Sequence, residues 1–63
     1  MPISGKKIIK KLLKEGWSIK SQTGSHVKMV KGDRITMVSV HGGKDLGKGL
    51  VRVIEKQTGV KLI

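Results

Sequence analysis

The chain has 63 residues, enough for one domain over residues 1–63, and its lack of cysteine excludes disulfides and thiolate metal ligands. Fourteen lysine and arginine residues against four acidic residues give a formal net charge of +10. An anionic partner would relieve the self-repulsion of such a charge, so nucleic acid is the first candidate, an acidic protein the second and an anionic membrane surface the third. The alternative is that the charge serves solubility alone.

Two histidines and four carboxylates are too few for us to expect a metal site, and no apolar run is long enough to cross a bilayer. No nucleotide-binding signature is present either. We therefore expect a protein of the cytoplasm that uses no metal or other cofactor.

Residues 4–15 are predicted to form the first helix. Ser4 is a suitable N-cap, Gly16 suits the position after the last turn, and Trp17 can supply the apolar contact of a Schellman motif. The apolar residues at helical spacing are Ile8, Ile9, Leu12 and Leu13. The polar face consists of Lys6, Lys7, Lys10, Lys11 and Lys14. This lysine face is either a contact for phosphate or an acidic protein, or a solvated surface.

Residues 17–41 contain three predicted strands, over 17–22, 25–31 and 34–40. The dipeptide Thr23-Gly24 is expected to form the first turn, and Gly32-Asp33 has the form of a two-residue hairpin turn. A two-residue turn there fixes the register of the hairpin, with His26 opposite Ser39. The alternative is a register slipped by one residue, which would exchange the two faces.

In this register the two faces of the sheet differ in character. One face is apolar and suited to packing under helices, with Val27, Met29, Val38 and Val40, joined by Trp17 and Ile19 from the first strand. The other face is polar, with His26, Lys28, Ser39 and His41, joined by Lys20 and Gln22. At its far end this second face also exposes Val30, Ile35 and Met37. We interpret that apolar end as a protein-binding patch; the alternative is a twisted sheet edge.

Residues 48–58 are predicted to form the second helix, which ends at Gly59. Its inward residues are expected to be Leu50, Val51, Val53 and Ile54. The element order is thus α-β-β-β-α, an α+β fold in which both helices cover one face of an antiparallel three-stranded sheet. Lys44 and Lys48, with the glycines around them, are either a phosphate contact or a flexible connection.

A histidine on a lysine-lined polar face suits the cleavage of RNA, because RNA carries its own nucleophile in the 2′-hydroxyl group. The protein then has to supply a general base and a cation for the phosphate. His26 and Lys28 are two residues apart on one strand, so their side chains share a face. This chemistry requires no metal.

Several short elements together resemble the HicA family of toxins. They are Gly16-Trp17, Gly24-Ser25-His26, Val40-His41-Gly42, and Gly49 with Arg52, Ile54 and Lys56 through Gly59. The chain departs from the common family pattern at three places, which are Met29, Ser39 and Gly49-Leu50-Val51. None of these departures touches the Gly-Ser-His element.

The resemblance implies a fold like that of double-stranded-RNA-binding domains. It implies the toxin of a type II toxin–antitoxin system, a ribosome-independent mRNA interferase that cuts mRNA. It also implies a HicB-type antitoxin that covers the active site and a toxin–antitoxin hetero-oligomer. The catalytic histidine of the family corresponds to His26, and His41 matches a second recurrent histidine to which we assign a supporting role.

The predicted site can be stated residue by residue. His26 is the catalytic residue, and the supporting residues are Ser25, Lys28, Ser39 and His41. The residues expected to contact RNA are Lys6, Lys7, Lys10, Lys20, Lys28, Lys44 and Lys48. The residues expected to contact the antitoxin are Val30, Ile35 and Met37.

Two other functions remain open from the sequence. The first is a non-catalytic double-stranded-RNA-binding module, which shares the element order and the charge. Such modules usually carry a dense lysine cluster at the start of the second helix, whereas this chain has one lysine in Gly47-Lys48-Gly49. The second is a defective toxin that only binds its antitoxin.

Overall fold

The computed structural model describes residues 3–40 and 45–62, so His41 and Lys44 of the predicted site lie outside the described residues. The elements are β1 (Ile3–Ser4), α1 (Gly5–Lys14), β2 (Ser18–Thr23), β3 (His26–Lys31), β4 (Arg34–Ser39), β5 (Asp45–Leu46) and α2 (Lys48–Thr58). The predicted α-β-β-β-α order is confirmed. The short antiparallel pair formed by β1 and β5, which joins the start of α1 to the start of α2, was not predicted.

Helix α1 begins and ends where its capping residues require. The hydroxyl of Ser4 accepts a hydrogen bond from the backbone N–H of Lys7 at 3.3 Å. At the other end Gly16 has a φ of +93°, and the N–H groups of Gly16 and Trp17 donate to carbonyl oxygens of the last turn at 3.2 and 2.9 Å. These two bonds form the predicted Schellman motif, which turns the chain and brings the buried Trp17 under the helix.

The buried side of α1 is narrower than the sequence predicts. Ile8 and Leu12 are fully buried and Ile9 is half-buried, but Leu13 is 47% exposed, so the apolar stripe of the helix is buried only in part. Successive residues of an α-helix are rotated by about 100°, so Leu13 points well away from the direction of Leu12.

The hairpin of β3 and β4 has the predicted register. All six pairs from Lys31 and Arg34 to His26 and Ser39 are present, and a 2.6 Å hydrogen bond from the N–H of Val40 to the carbonyl of Ser25 extends them. At the turn Gly32 has a φ of +59°, whereas Asp33 does not have a positive φ, which is the pattern of a type II′ turn. Because that turn matches the twist of the strands, it holds the register that puts His26 beside Ser39.

Strand β2 differs from its prediction. Its turn is Gly24-Ser25, so Thr23 pairs with His26, and the register shifts between Ile19 and Ser21, where Lys20 is the additional residue. Gln22 was predicted on the polar face, and that placement is wrong because Gln22 pairs with the inward-facing Val27. The β-bulge at Lys20 explains the error, because one inserted residue exchanges the faces of the residues beyond it.

One core lies between the sheet and the two helices, which confirms that both helices cover the same face. It contains Ile3, Ile8, Leu12, Trp17, Val27, Met29, Val38, Leu46, Val51, Ile54 and Leu62. Both helices pack on β4. Ile19 on the outer strand β2 therefore remains 51% exposed, although it pairs with Met29, and its predicted burial is wrong.

Helix α2 buries a narrow stripe. Val51 and Ile54 are buried as predicted, together with Thr58, whereas Leu50 and Val53 are exposed and do not pack inward. The sequence predicted that all four apolar residues point inward. The three short strands offer too little surface for α2 to bury all four side chains.

The start of α1 approaches the end of β4 very closely. A Cβ atom added at Gly5 would overlap the carbonyl oxygen of Ser39 and lie 3.2 Å from the Cα atom of Val40. The residue after the N-cap must therefore lack a side chain for the helix to lie this close. As a result α1 supports the strand end that carries Ser39, the partner of His26.

The segment after α2 is fixed to both helices. Leu62 is buried, its N–H donates to the carboxylate of Glu55 at 2.7 Å, and its carbonyl accepts from the ammonium group of Lys11 at 3.2 Å. Among the described residues, no helix has the length and apolar character needed to span a membrane.

Candidate active site

The face of the sheet that the helices leave uncovered carries a shallow cavity of about 420 Å³. Its lining residues come from all three strands and are Ser21, Thr23, His26, Lys28 and Met37. The cavity therefore combines hydroxyl groups, an imidazole, an ammonium group and one apolar wall. It is open to solvent, so a large substrate can reach the imidazole directly.

His26 is the first residue of β3 and lies between two partner strands. On the β4 side it faces Ser39 in a pair without mutual backbone hydrogen bonds, because the hydrogen-bonded positions are the flanking pairs at Ser25 and Val27. Side chains are closest in such pairs, with Cα atoms about 4.5 Å apart. On the other side Thr23 closes the β2–β3 turn opposite His26. The imidazole is thus flanked by two hydroxyl-bearing residues.

Lys28 lies two residues further along β3 and so projects from the same face as His26. It pairs with Ser21 on one side and Met37 on the other. The side chain of Lys28 is half-buried, whereas that of His26 is exposed. Within residues 3–40 and 45–62, neither side chain forms a hydrogen bond or an ion pair. Both groups are therefore free to bind a ligand.

The backbone brings together only part of the predicted supporting set. Ser39 lies beside His26 as predicted, whereas Ser25 belongs to the turn, is half-buried and uses its carbonyl to hold Val40. Lys20 is the exposed extra residue of the bulge in β2.

The other predicted RNA contacts that the structure describes are on the two helices. Lys6, Lys7 and Lys10 are exposed on α1, and Lys48 is the exposed first residue of α2. Both helices pack on the covered face of the sheet, and none of these four lysines lines the cavity that contains His26. On α1 a second groove of about 200 Å³ is lined by Lys7, Lys10, Lys11 and Lys14.

Two residues of the cavity, Ser21 and Thr23, were missed by sequence analysis. They take the places on the open face that the sequence assigned to Lys20 and Gln22. A signal for Thr23 was present, because Gly-Ser is itself a common two-residue hairpin turn, and a turn at Gly24-Ser25 pairs Thr23 with His26. Nothing in the hydropathy pattern indicated the bulge that brings Ser21 opposite Lys28.

The apolar end of the open face has the predicted geometry. Val30 pairs with Ile35, and Met37 follows two residues later on the same face. Val30 is half-buried, and the other two side chains are 51% and 50% exposed. Met37 also lines the cavity, so the apolar patch continues directly into the site that contains His26.

The described part of the chain offers acid–base and electrostatic chemistry at this site. It contains no cluster of three or more His, Cys, Asp or Glu side chains that could hold a metal ion. An imidazole can accept a proton, and an ammonium group on the same face can neutralise an anionic oxygen. A phosphodiester with an internal nucleophile is a substrate that fits these two groups.

Comparison with protein families identifies a match over most of the chain. The family model described as the HicA toxin of bacterial toxin–antitoxin systems matches residues 5–60, nearly the entire chain. No curated protein and no solved structure matches the chain. The match covers both helices and all three strands that carry the cavity. The chain therefore belongs to the HicA toxin family of bacterial toxin–antitoxin systems.

Proposed function

We propose that this chain is an endoribonuclease that cleaves mRNA independently of the ribosome, without a metal ion, with His26 as the general base. The observation that carries the proposal is the joint position of His26 and Lys28 in the lining of one open cavity. These polar side chains lie on the uncovered face of the sheet and add little to the hydrophobic core. We therefore attribute their grouping to catalysis and not to stability.

The reaction needs one proton transfer to start. The imidazole of His26 takes the proton of the 2′-hydroxyl group, and the 2′ oxygen forms a bond to the adjacent phosphorus. The bond between phosphorus and the 5′ oxygen then breaks, and the departing oxygen takes a proton from solvent. Lys28 neutralises the negative charge on the phosphate oxygens as it increases in the transition state. The products are a 2′,3′-cyclic phosphate and a 5′-hydroxyl end.

Hydroxyl groups and further lysines position the RNA in this proposal. Ser39 and Thr23 flank the imidazole and orient the ribose, and Lys20 on the neighbouring strand contacts the next phosphates. The lysines of α1 do not line the cavity, so in this proposal they contact other phosphates of the same RNA. Ser25 fixes the turn that leads into His26, and His41 supports the site.

Control of the activity falls to the antitoxin with which a toxin of this family is paired. We assign it to the HicB type and place its contact on Val30, Ile35 and Met37, because that apolar patch borders the cavity. A protein bound there would form a toxin–antitoxin hetero-oligomer in the cytoplasm. An acidic antitoxin would complement a chain of net charge +10.

The test is cleavage of a defined RNA by the purified chain in the presence of EDTA. We expect fragments with 2′,3′-cyclic phosphate and 5′-hydroxyl ends, and no cleavage of an RNA with a 2′-deoxy residue at the cut site. Cleavage that requires added metal, or fragments with 5′-phosphate ends, would contradict the mechanism. Binding of duplex RNA without any cleavage would support the non-catalytic RNA-binding module instead.

A further inference from the structure

Strand β4 lies at one edge of the sheet, and its backbone groups alternate between the two sides of the strand. The hydrogen bond from Val40 to Ser25 identifies which positions of β4 are hydrogen-bonded to β3. They are Arg34, Thr36 and Val38. The N–H and carbonyl groups of Ile35, Met37 and Ser39 must then point away from β3, towards the free edge.

One end of this edge is covered and the rest is open. The carbonyl oxygen of Ser39 lies against Gly5 at the start of α1. In the part of the chain that the structure describes, no hydrogen bond engages the backbone groups of Ile35 and Met37 on the outer side. The side chains of the same two residues are about half exposed on the open face. A short length of strand thus presents unpaired backbone groups beside exposed apolar side chains.

The opposite edge of the sheet is built differently. Strand β2 contains the bulge at Lys20, and all six of its residues are exposed. Bulges and lysines are the usual means by which edge strands avoid pairing with another chain. Strand β4 has six regular pairs with β3 and no proline, and its outward side chains at Ile35 and Met37 are apolar. Within residues 3–40 and 45–62, the edge of β2 therefore carries features that oppose strand addition, and the edge of β4 beside Ile35 and Met37 does not.

We propose that the edge of β4 binds an extended segment of the antitoxin, which adds a fourth strand beside Ile35 and Met37. This inference depends on the proposed antitoxin partnership for its occupant. Main-chain hydrogen bonds to the two residues supply binding, and the apolar side chains select an apolar residue at alternate positions of the added segment. The added strand extends the open face next to Met37 and so lies at the border of the cavity that contains His26.

Charge favours this occupant over a second copy of the chain. Two copies would each bring a net charge of +10 to the interface, whereas an acidic segment would complement Lys28 on the same face. The segment we expect has apolar residues at the two alternate positions that contact Ile35 and Met37, and an acidic residue at the next position of the same face, beside the cavity. It both pairs with the edge and neutralises the lysine that the proposed reaction needs.

The experiment uses amide hydrogen exchange, which reads individual backbone groups without any substitution. The probe is the separately purified protein encoded by the gene that adjoins the gene for this chain. In the free chain we expect slow exchange at Thr36 and Val38 and fast exchange at Ile35 and Met37. Addition of the probe should slow exchange at Ile35 and Met37 by at least about tenfold and leave Gln22, on the opposite edge, unchanged.

A pair of substitutions tests the same edge by affinity. Ile35→Pro removes one outward N–H, whereas Ile35→Val retains both that N–H and the apolar side chain. We expect the proline variant to bind the probe about tenfold or more weakly and the valine variant to bind within about threefold of the parent. Gln22→Pro makes the same change on the edge of β2 and should also bind normally. Circular dichroism confirms that each variant is folded.

Several outcomes would overturn the inference. The first is that the parent chain does not bind the probe, and the second is that exchange at Ile35 and Met37 is unchanged in the complex. The third is that both amides are protected in the free chain and that this protection increases with protein concentration, which would identify a second copy as the occupant. Cleavage of RNA by the free chain is measured separately. A chain that binds through β4 but does not cut RNA would refute the proposed nuclease and leave this inference intact.

Discussion

The two faces of the three-stranded sheet are built from alternate residues of the same strands, yet they serve different ends. On the covered face Val27, Met29 and Val38 are almost completely buried under the helices. On the open face their neighbours His26, Lys28 and Met37 line a cavity in solvent. The sheet thus separates the residues that stabilise the fold from the residues that we propose act on RNA. Substitutions on one face should change stability, and substitutions on the other should change activity.

The two methionines of the β3–β4 hairpin give the largest expected difference in stability. Met29 is fully buried, and Met37 is half exposed on the other face. We expect Met29→Ala to lower the free energy of unfolding by about 2–5 kcal/mol, which would unfold much of so small a domain. Met37→Ala should change it by less than about 1 kcal/mol. Urea denaturation measures both, and equal losses would show that the two faces are not distinct.

Substitution of two helical glycines tests how closely the helices approach the covered face of the sheet. Gly5→Ala would push α1 away from the carbonyl of Ser39, and we expect a loss of about 1–3 kcal/mol in the free energy of unfolding. In Gly49→Ala the new methyl group meets no atom within 4 Å, and alanine favours the helix by about 0.5–1 kcal/mol. Thermal or urea unfolding measures both changes, and a loss of stability for Gly5→Ala with a gain for Gly49→Ala would confirm the close approach at Gly5. A neutral Gly5→Ala would contradict it.

Substitution of two lysines compares the open face of the sheet with the helices. Lys28 shares the cavity with His26, whereas Lys10 lies on α1 beyond the sheet. We expect Lys28→Ala to slow cleavage of bound RNA by about tenfold, because it removes charge stabilisation in the transition state. Lys10→Ala should leave that rate unchanged and weaken RNA binding by a few-fold, with a smaller dependence on salt. Single-turnover kinetics separate the two effects, and equal losses of rate would contradict the account.

The sequence alone was sufficient for the part of the site that depends on one turn. Gly32-Asp33 determines the register of β3 and β4, so the placement of His26, Lys28 and Ser39 on one open face followed directly. The caps of α1 could also be predicted from the sequence, because Ser4 and Gly16 each interact with the adjacent turn of the helix.

The remaining details depend on contacts between distant parts of the chain. The bulge at Lys20 is set by how β2 pairs with β3, and no local pattern encodes it. The exposure of Leu13, Ile19 and Leu50 follows from the limited area that two helices can cover. The pairing of β1 with β5 joins residues some forty positions apart, which periodicity does not indicate.

Whether His26 provides the general base can be decided by one comparison of cleavage rates. The parent chain and His26→Ala are each incubated with the same RNA in EDTA, and both are first shown to unfold at the same urea concentration. We expect the variant to cut about 10²- to 10⁴-fold more slowly, which is the usual contribution of a positioned general base. A folded His26→Ala protein that cuts RNA as fast as the parent would contradict it.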